Sequence, residues 1–102
     1  MLTDKKVVEF EWDKGNTGKN IKHNVEDKEV EEAFFDKAKK TFKDRVHSGQ
    51  EERFRIVGKT KKGRILFIVF TIRKNKIRII SARDINRKEV RLYEEKADST
   101  QI

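Results

Sequence analysis

The apolar run Ile65-Leu66-Phe67-Ile68-Val69-Phe70 limits what this chain can fold into. Side chains along a strand alternate between faces, so a run that is apolar at both parities must be covered on two sides. It is too short to span a bilayer and rich in β-branched and aromatic residues, and so reads as a central strand. Polar turns bound it, Lys61-Lys62-Gly63 before and Lys74-Asn75 after. Upstream, Glu52 to Lys59 alternates, with Phe54 and Ile56 on one side and Arg53, Arg55 and Val57 on the other. Downstream, Ile77 to Ala82 forms the last strand. Thr41 to Val46, with Phe42 inward, supplies a further short strand, and the tight turns make the set an antiparallel meander.

The helices read less evenly. Val7 to Trp12 alternates loosely as a short strand. Asp13 opens a polar stretch with Gly15 and Gly18 that forms at most a weak helix ending near His23. Val30, Ala33 and Phe34 then fall on one helical face, with Phe35 as a further packing candidate and Asp36 at the exit. Glu26 and Glu29 near its start suit the positive end of the helix dipole. Asn86-Arg87-Lys88-Glu89 has the form of a capping box, flanked by Ile85 and Val90 as a hydrophobic staple. Val90, Tyr93 and Ala97 line one face of this last helix, and Asp98 to Ile102 is a frayed tail. The expected class is α+β: an antiparallel β-meander with two N-terminal helices and one C-terminal helix, a single domain over residues 1–102. The helices gather largely on one face, leaving the opposite face partly open for strand-borne arginines.

Charge points to the kind of partner. Lys and Arg number 26 against 18 Asp and Glu, a formal charge of +8, which favours a polyanion such as RNA or DNA, or an acidic protein. Acidic residues crowd Glu26 to Glu32, whereas Arg53 to Arg91 is mostly basic. There is no cysteine, so thiolate chemistry and disulfides are excluded. Met1 to Lys6 is polar, without the apolar stretch of a signal peptide. The chain reads as soluble and cytoplasmic, with no membrane partner and no cofactor.

No glycine-rich phosphate loop and no metal-ligand spacing is present; Glu51 and Glu52, adjacent on a strand, point to opposite faces. RNA cleavage without a metal asks for less, because the 2′-hydroxyl is the nucleophile and the protein need only move protons and supply positive charge. His23, Glu52 and Tyr93 are candidate proton handlers, and Arg53, Arg78 and Arg83 candidate charges. Plainer roles stand beside these. His23 caps a helix, Glu52 pairs with Arg53 or a neighbouring strand's lysine, and Tyr93, Trp12 and Phe10 pack in the core. Alternation gives Ser81 and Arg83 the parity of Ile77 and Ile79, opposite to Arg78. Either the arginines do not share a site, or the end of the strand twists to bring Arg83 round.

Five pieces carry a resemblance over about Val8 to Tyr93: Phe10-Glu11-Trp12-Asp13; Asn20 with Lys22-His23; Glu31-Glu32-Ala33-Phe34-Phe35-Asp36; Gly49-Gln50-Glu51-Glu52-Arg53-Phe54; and Arg78-Ile79-Ile80-Ser81-Ala82-Arg83. In this order the chain resembles the BrnT family, ribonuclease toxins of type II toxin–antitoxin modules. Asn24 follows His23 where glycine is common, and lysine stands at many surface positions in place of arginine. The resemblance implies a RelE-like microbial ribonuclease fold and RNA cleavage that blocks translation. It also implies a BrnA-type ribbon-helix-helix antitoxin, a heterotetramer with it, and operator DNA bound through it. Carried onto this chain, the candidate catalytic residues are His23, Glu52, Arg53, Arg78 and Arg83. Arg55, Arg64, Arg73 and Tyr93 are the substrate-binding candidates. The competing readings are a basic nucleic-acid-binding module without turnover, and a scaffold for an acidic or amphipathic partner.

Overall fold

The structure, a computed structural model, describes residues 9–44 and 51–94. Met1 to Val8, Arg45 to Gln50 with His47 among them, Ala97 and the tail from Asp98 to Ile102 lie outside the described residues. A 3₁₀ segment, Lys19–His23, precedes helix α1 (Asp27–Phe34). Strands β1 (Lys40–Asp44), β2 (Arg53–Lys59), β3 (Ile65–Arg73) and β4 (Lys76–Asp84) follow. A second 3₁₀ segment, Arg87–Glu89, runs into helix α2 (Val90–Glu94). The strands form one sheet in the order β1-β2-β3-β4, antiparallel throughout.

β3 lies inside the sheet, as its sequence demands. Leu66, Ile68 and Phe70 are buried on one face and Phe67 on the other. The turn from β3 to β4 is the two-residue Lys74-Asn75 reversal, both residues in the left-handed region with φ 49° and 66°. That geometry matches the twist of the paired strands and tolerates asparagine well.

α1 buries Val30, Ala33 and Phe34 against the face that carries Ile56, Ile68, Phe70 and Ile79. Its start is tied down by the Glu26 N–H donating to Glu29 Oε1 at 3.0 Å and the Gly18 N–H donating to the Asp27 carboxylate. Phe34 meets Phe70 edge-on at 5.0 Å and Phe10 at 5.3 Å. Phe35, expected to pack, touches Phe10 at 6.0 Å yet stays 58% exposed. Each of the large side chains fully buried here contributes about 1.5–3 kcal/mol.

The helical layout departs from expectation in two ways. The stretch after Asp13 is a turn and a 3₁₀ segment, because its asparagines serve β4 instead of an α-helix. Asn16 Nδ2 donates to the carbonyls of Glu11 and Ile79, and the Ala82 N–H donates to Asn20 Oδ1 at 3.0 Å. Among the described residues of the expected N-terminal strand, only Phe10 bridges, in parallel, to Ile77. Hydrogen bonds of 2.8 Å from Ile77 N–H to Glu9 and from Glu11 N–H to Ile77 flank that bridge. Together these contacts sheathe the outer edge of β4, which would otherwise invite pairing with another chain.

The second departure is that the helices do not share a face. The C-terminal helix crosses to the side opposite α1: Lys40 Nζ donates to the Tyr93 carbonyl at 2.8 Å, and Arg83 pairs with Glu89. Val57, on that side, is fully buried, and Phe42, opposite Arg55, is half-buried there instead of joining Phe54 and Ile56. The capping box forms as read, with the Glu89 N–H donating to Asn86 Oδ1 at 3.0 Å and the Asn86 N–H to Glu89 Oε1 at 2.9 Å.

α1 approaches β2 closely at one point, where a Cβ built on Gly58 would lie 2.2 Å from the Ala33 carbonyl oxygen. A backbone atom cannot swing aside, so Gly58→Ala should cost about 1–3 kcal/mol. The check is a lowered urea midpoint at unchanged slope.

Candidate anion-binding face

The second half of β4 is set by one irregularity. Val69 pairs with Ser81 but Phe70 pairs with Ile79, so Ile80 is an extra residue on β4. A bulge of this kind shifts parity downstream of itself. Burial follows: Ile77 and Ile79 are buried before it and Ala82 after it. Ser81 and Arg83 thereby turn onto the face of Arg78, where the register also places Arg53 and Arg55. Alternation alone had put Arg83 with the core.

Arg83 is fixed from several directions. Its guanidinium lies 4.5 Å over the Phe67 ring. Nη1 and Nη2 each donate to a Glu89 carboxylate oxygen at 2.9 Å, and Nη1 also donates to the Asp84 carbonyl at 3.1 Å. The fork holds Glu89 below the usual carboxylate range; burial opposes this, while the Asn86 N–H and the charge of Arg55 add to it. Arg83 is raised in turn, first by its bonds to Glu89. Arg55 stands on the same face with its Nε buried and no hydrogen-bond partner for that atom. A buried guanidinium donor left unpaired is costly.

Arg78 occupies the other end of this face, roughly 15 Å along the strand from Arg83 at about 3.3 Å per residue. It donates to Asp13 Oδ2 at 2.8 Å, Asp13 Oδ1 at 3.1 Å and Glu11 Oε1 at 3.3 Å. Asp13 is lowered chiefly by Arg78. Arg73 donates to Glu51 at 3.0 Å, and Arg53 has interactions of its own. Arg53, Arg55, Arg78 and Arg83 are thus brought to one side of the sheet.

The remaining candidates lie elsewhere. His23 is exposed, and its carbonyl accepts from Arg64 Nη2 at 3.5 Å on the α1 side of the sheet. Glu52 pairs with Lys43 of the neighbouring strand at 2.8 Å, one of the plainer roles its position allowed. Arg64 acts as an internal clamp: it donates to Asp84, to Glu29 and to the Asn24 carbonyl, joining β4, α1 and the loop before α1. The Tyr93 hydroxyl donates to Asp36 Oδ2 at 2.7 Å, with Lys40 and Lys59 over its ring. Trp12 donates from its indole nitrogen to Glu31 at 2.7 Å and packs on the core, the plainer role its position allowed. Among the described residues, no group of three or more His, Asp or Glu side chains could hold a metal ion.

Glu89 is the residue whose chemistry went unread in the sequence. It was visible only as the last member of the capping box; its ion pair depends on the bulge. Likewise nothing local marked Glu11 and Asp13 as partners of an arginine some sixty-five positions on.

These features define an α+β protein with α1 on one face of its sheet and, on the other, α2 beside a set of arginines, Arg78 and Arg83 among them held by carboxylates. Residues 12–89 match the family model described as ribonuclease toxin, BrnT, of type II toxin-antitoxin system. The chain belongs to this family, and membership of a toxin–antitoxin family implies an antitoxin partner. A comparison with curated proteins finds no match. Among the described residues no helix is long and apolar enough to cross a membrane.

Tyr93 offers a spectroscopic check on the docking of α2. Burial, then the hydrogen bond to Asp36, pushes its hydroxyl up to about 12. It is the only tyrosine in the chain, so absorbance at alkaline pH reads it alone. The folded protein should titrate near 12 and the urea-unfolded chain near ~10. A raised pKa means the native state holds the proton more tightly. The stability from this contact is therefore complete below about pH 10 and lost as pH climbs toward 12. Tyr93→Phe should remove that loss and lower stability at neutral pH by about 1.5–3 kcal/mol.

Proposed function

We propose that the protein is a metal-independent endoribonuclease toxin whose reaction centre is the arginine-bearing face of the sheet. The observation that carries this reading is the bulge at Ile80, which turns Arg83 onto the face of Arg55 and Arg78. Transphosphorylation within RNA needs positive charge around a crowded phosphorane, and arginine presents its donors in a fork that fits phosphate oxygens. Arg55 and Arg83, the latter over the Phe67 ring, bind the scissile phosphate. Arg53, Arg73 and Arg78 bind the flanking strand. His23 and Glu52 are left out of the reaction because they lie away from this face, and Arg64 and Tyr93 serve the fold.

On this reading residues 1–102 form a single toxin domain of the RelE-like microbial ribonuclease type, acting in the cytoplasm and blocking translation by cutting RNA. Its partner is a BrnA-type ribbon-helix-helix antitoxin that forms a heterotetramer with it and binds operator DNA. Support comes from the family membership and from the antiparallel meander with its cationic face.

Induced expression without the adjacent antitoxin gene should arrest growth, and coexpression should restore it. Purified protein should leave 2′,3′-cyclic phosphate ends on RNA in excess EDTA; cleavage abolished by the chelator would overturn metal independence. Arg55→Ala and Arg83→Ala should each lower the cleavage rate by about 10²–10³-fold, the scale of losing one preorganised donor to a developing oxyanion. RNA binding with no new ends would favour a binding module without turnover.

A further inference from the structure

The charges of the proposed site are named, but its proton acceptor is not. Glu89 lies where one is needed. Its side chain is 16% exposed, both oxygens face the Arg83 fork, and Arg55 lies near enough from β2 to act on its charge. The Asn86 N–H holds Oε1 at 2.9 Å independently of either arginine. The charged groups that face it are therefore Arg83 from β4 and Arg55 from β2; β3 offers the neutral Phe67 ring under Arg83, and the cap residue Asn86 is neutral.

We propose that Glu89 is the general base of RNA cleavage, and that the substrate's own phosphate switches it on by taking its place in the Arg83 fork. A carboxylate and two non-bridging phosphate oxygens fit the same guanidinium fork, so the two anions compete for Arg83. The positive charge of Arg55, close enough to act on the Glu89 carboxylate, adds to the attraction for the phosphate. When the phosphate takes the fork, Glu89 keeps its bond to the Asn86 N–H and stays beside the reacting linkage. Having lost the contact that most depresses its basicity, it becomes a better proton acceptor.

The 2′-hydroxyl then gives its proton to a Glu89 oxygen as the O2′–P bond forms. The P–O5′ bond breaks, and the 5′-oxygen leaves with the bonding pair and takes a proton from water. The products are a 2′,3′-cyclic phosphate and a 5′-hydroxyl, and Glu89 returns its proton to solvent. This inference rests on the ribonuclease reading.

Glu89→Gln tests it, because glutamine preserves the acceptor of the capping box while removing the base and the ion pair. The probes are an oligoribonucleotide spanning a mapped cleavage site and the same oligomer made non-cleavable by 2′-O-methylation. The expected result has three parts: single-turnover cleavage falls about 10²-fold, the acid limb of the wild-type pH–rate profile disappears, and the methylated oligomer binds several-fold more tightly. Wild-type cleavage by the variant would overturn the proposal. So would a slowed variant that keeps the acid limb and binds more weakly, since Glu89 would then only support Arg83. Asn86→Ala, which weakens the cap but leaves the carboxylate, should lower the melting temperature and retain the acid limb; loss of the limb in this variant too would count against Glu89 as its source. Methylated RNA bound by a wild-type protein that leaves no cyclic-phosphate ends defeats the ribonuclease reading and this one together. A cleaving wild type beside an unimpaired Glu89→Gln variant defeats the base alone.

Discussion

In the hairpin of β3 and β4, Ile80 has no partner across the ladder, because Val69 and Phe70 face Ser81 and Ile79. Every residue of β4 beyond it is turned over relative to simple alternation. Ala82 closes the core beside Ile68, and Arg83 lands on Phe67 on the opposite face. A regular strand would have sent Arg83 into the apolar layer under α1, where an unpaired guanidinium is prohibitively costly. It would also have broken the fork with Glu89 and separated Arg83 from Arg55. The position of α2 follows from the same irregularity, since Glu89 is at once the partner of Arg83 and the end of the box that starts the helical segment.

The arginines of this face are restrained by carboxylates at both ends. Arg78 is anchored to Glu11 and Asp13, and Arg83 to Glu89. The effect of these pairs is geometric: a long side chain that would sample many rotamers is held in one. Arg64 shows the other use of the same residue type. Its donors are spent on Asp84, Glu29 and the Asn24 carbonyl, and it works as a clamp between elements. Asp36 does similar work at the same end of the sheet, where it accepts from the Lys59 N–H. Burial raises it, but bonds from Tyr93, Ala38 and Lys59 outweigh that and lower it.

Much of the framework was legible locally. The both-face apolar run required β3 to be interior; the Lys74-Asn75 turn, the α1 face of Val30, Ala33 and Phe34, and the Asn86–Glu89 box all formed as their spacing indicated. The motif order pointed to the family that residues 12–89 match. The stretch after Asp13 misled because asparagine and glycine there look only like a poor helix, whereas Asn16 and Asn20 are satisfied by backbone groups of β4 some sixty positions away. The helices were expected on one face because nothing in the α2 sequence names its side.

The sequence by itself determined the four strands of the sheet, α1, the capped C-terminal helical segment, their order and the cationic character of the second half, since periodicity, turn chemistry and charge act over a few neighbouring residues. Only the tertiary structure decided which arginines stand together, which carboxylates hold them, and which face each helix covers. Those outcomes turn on a single unpaired residue in β4 and on contacts between distant segments, and neither leaves a trace in local spacing.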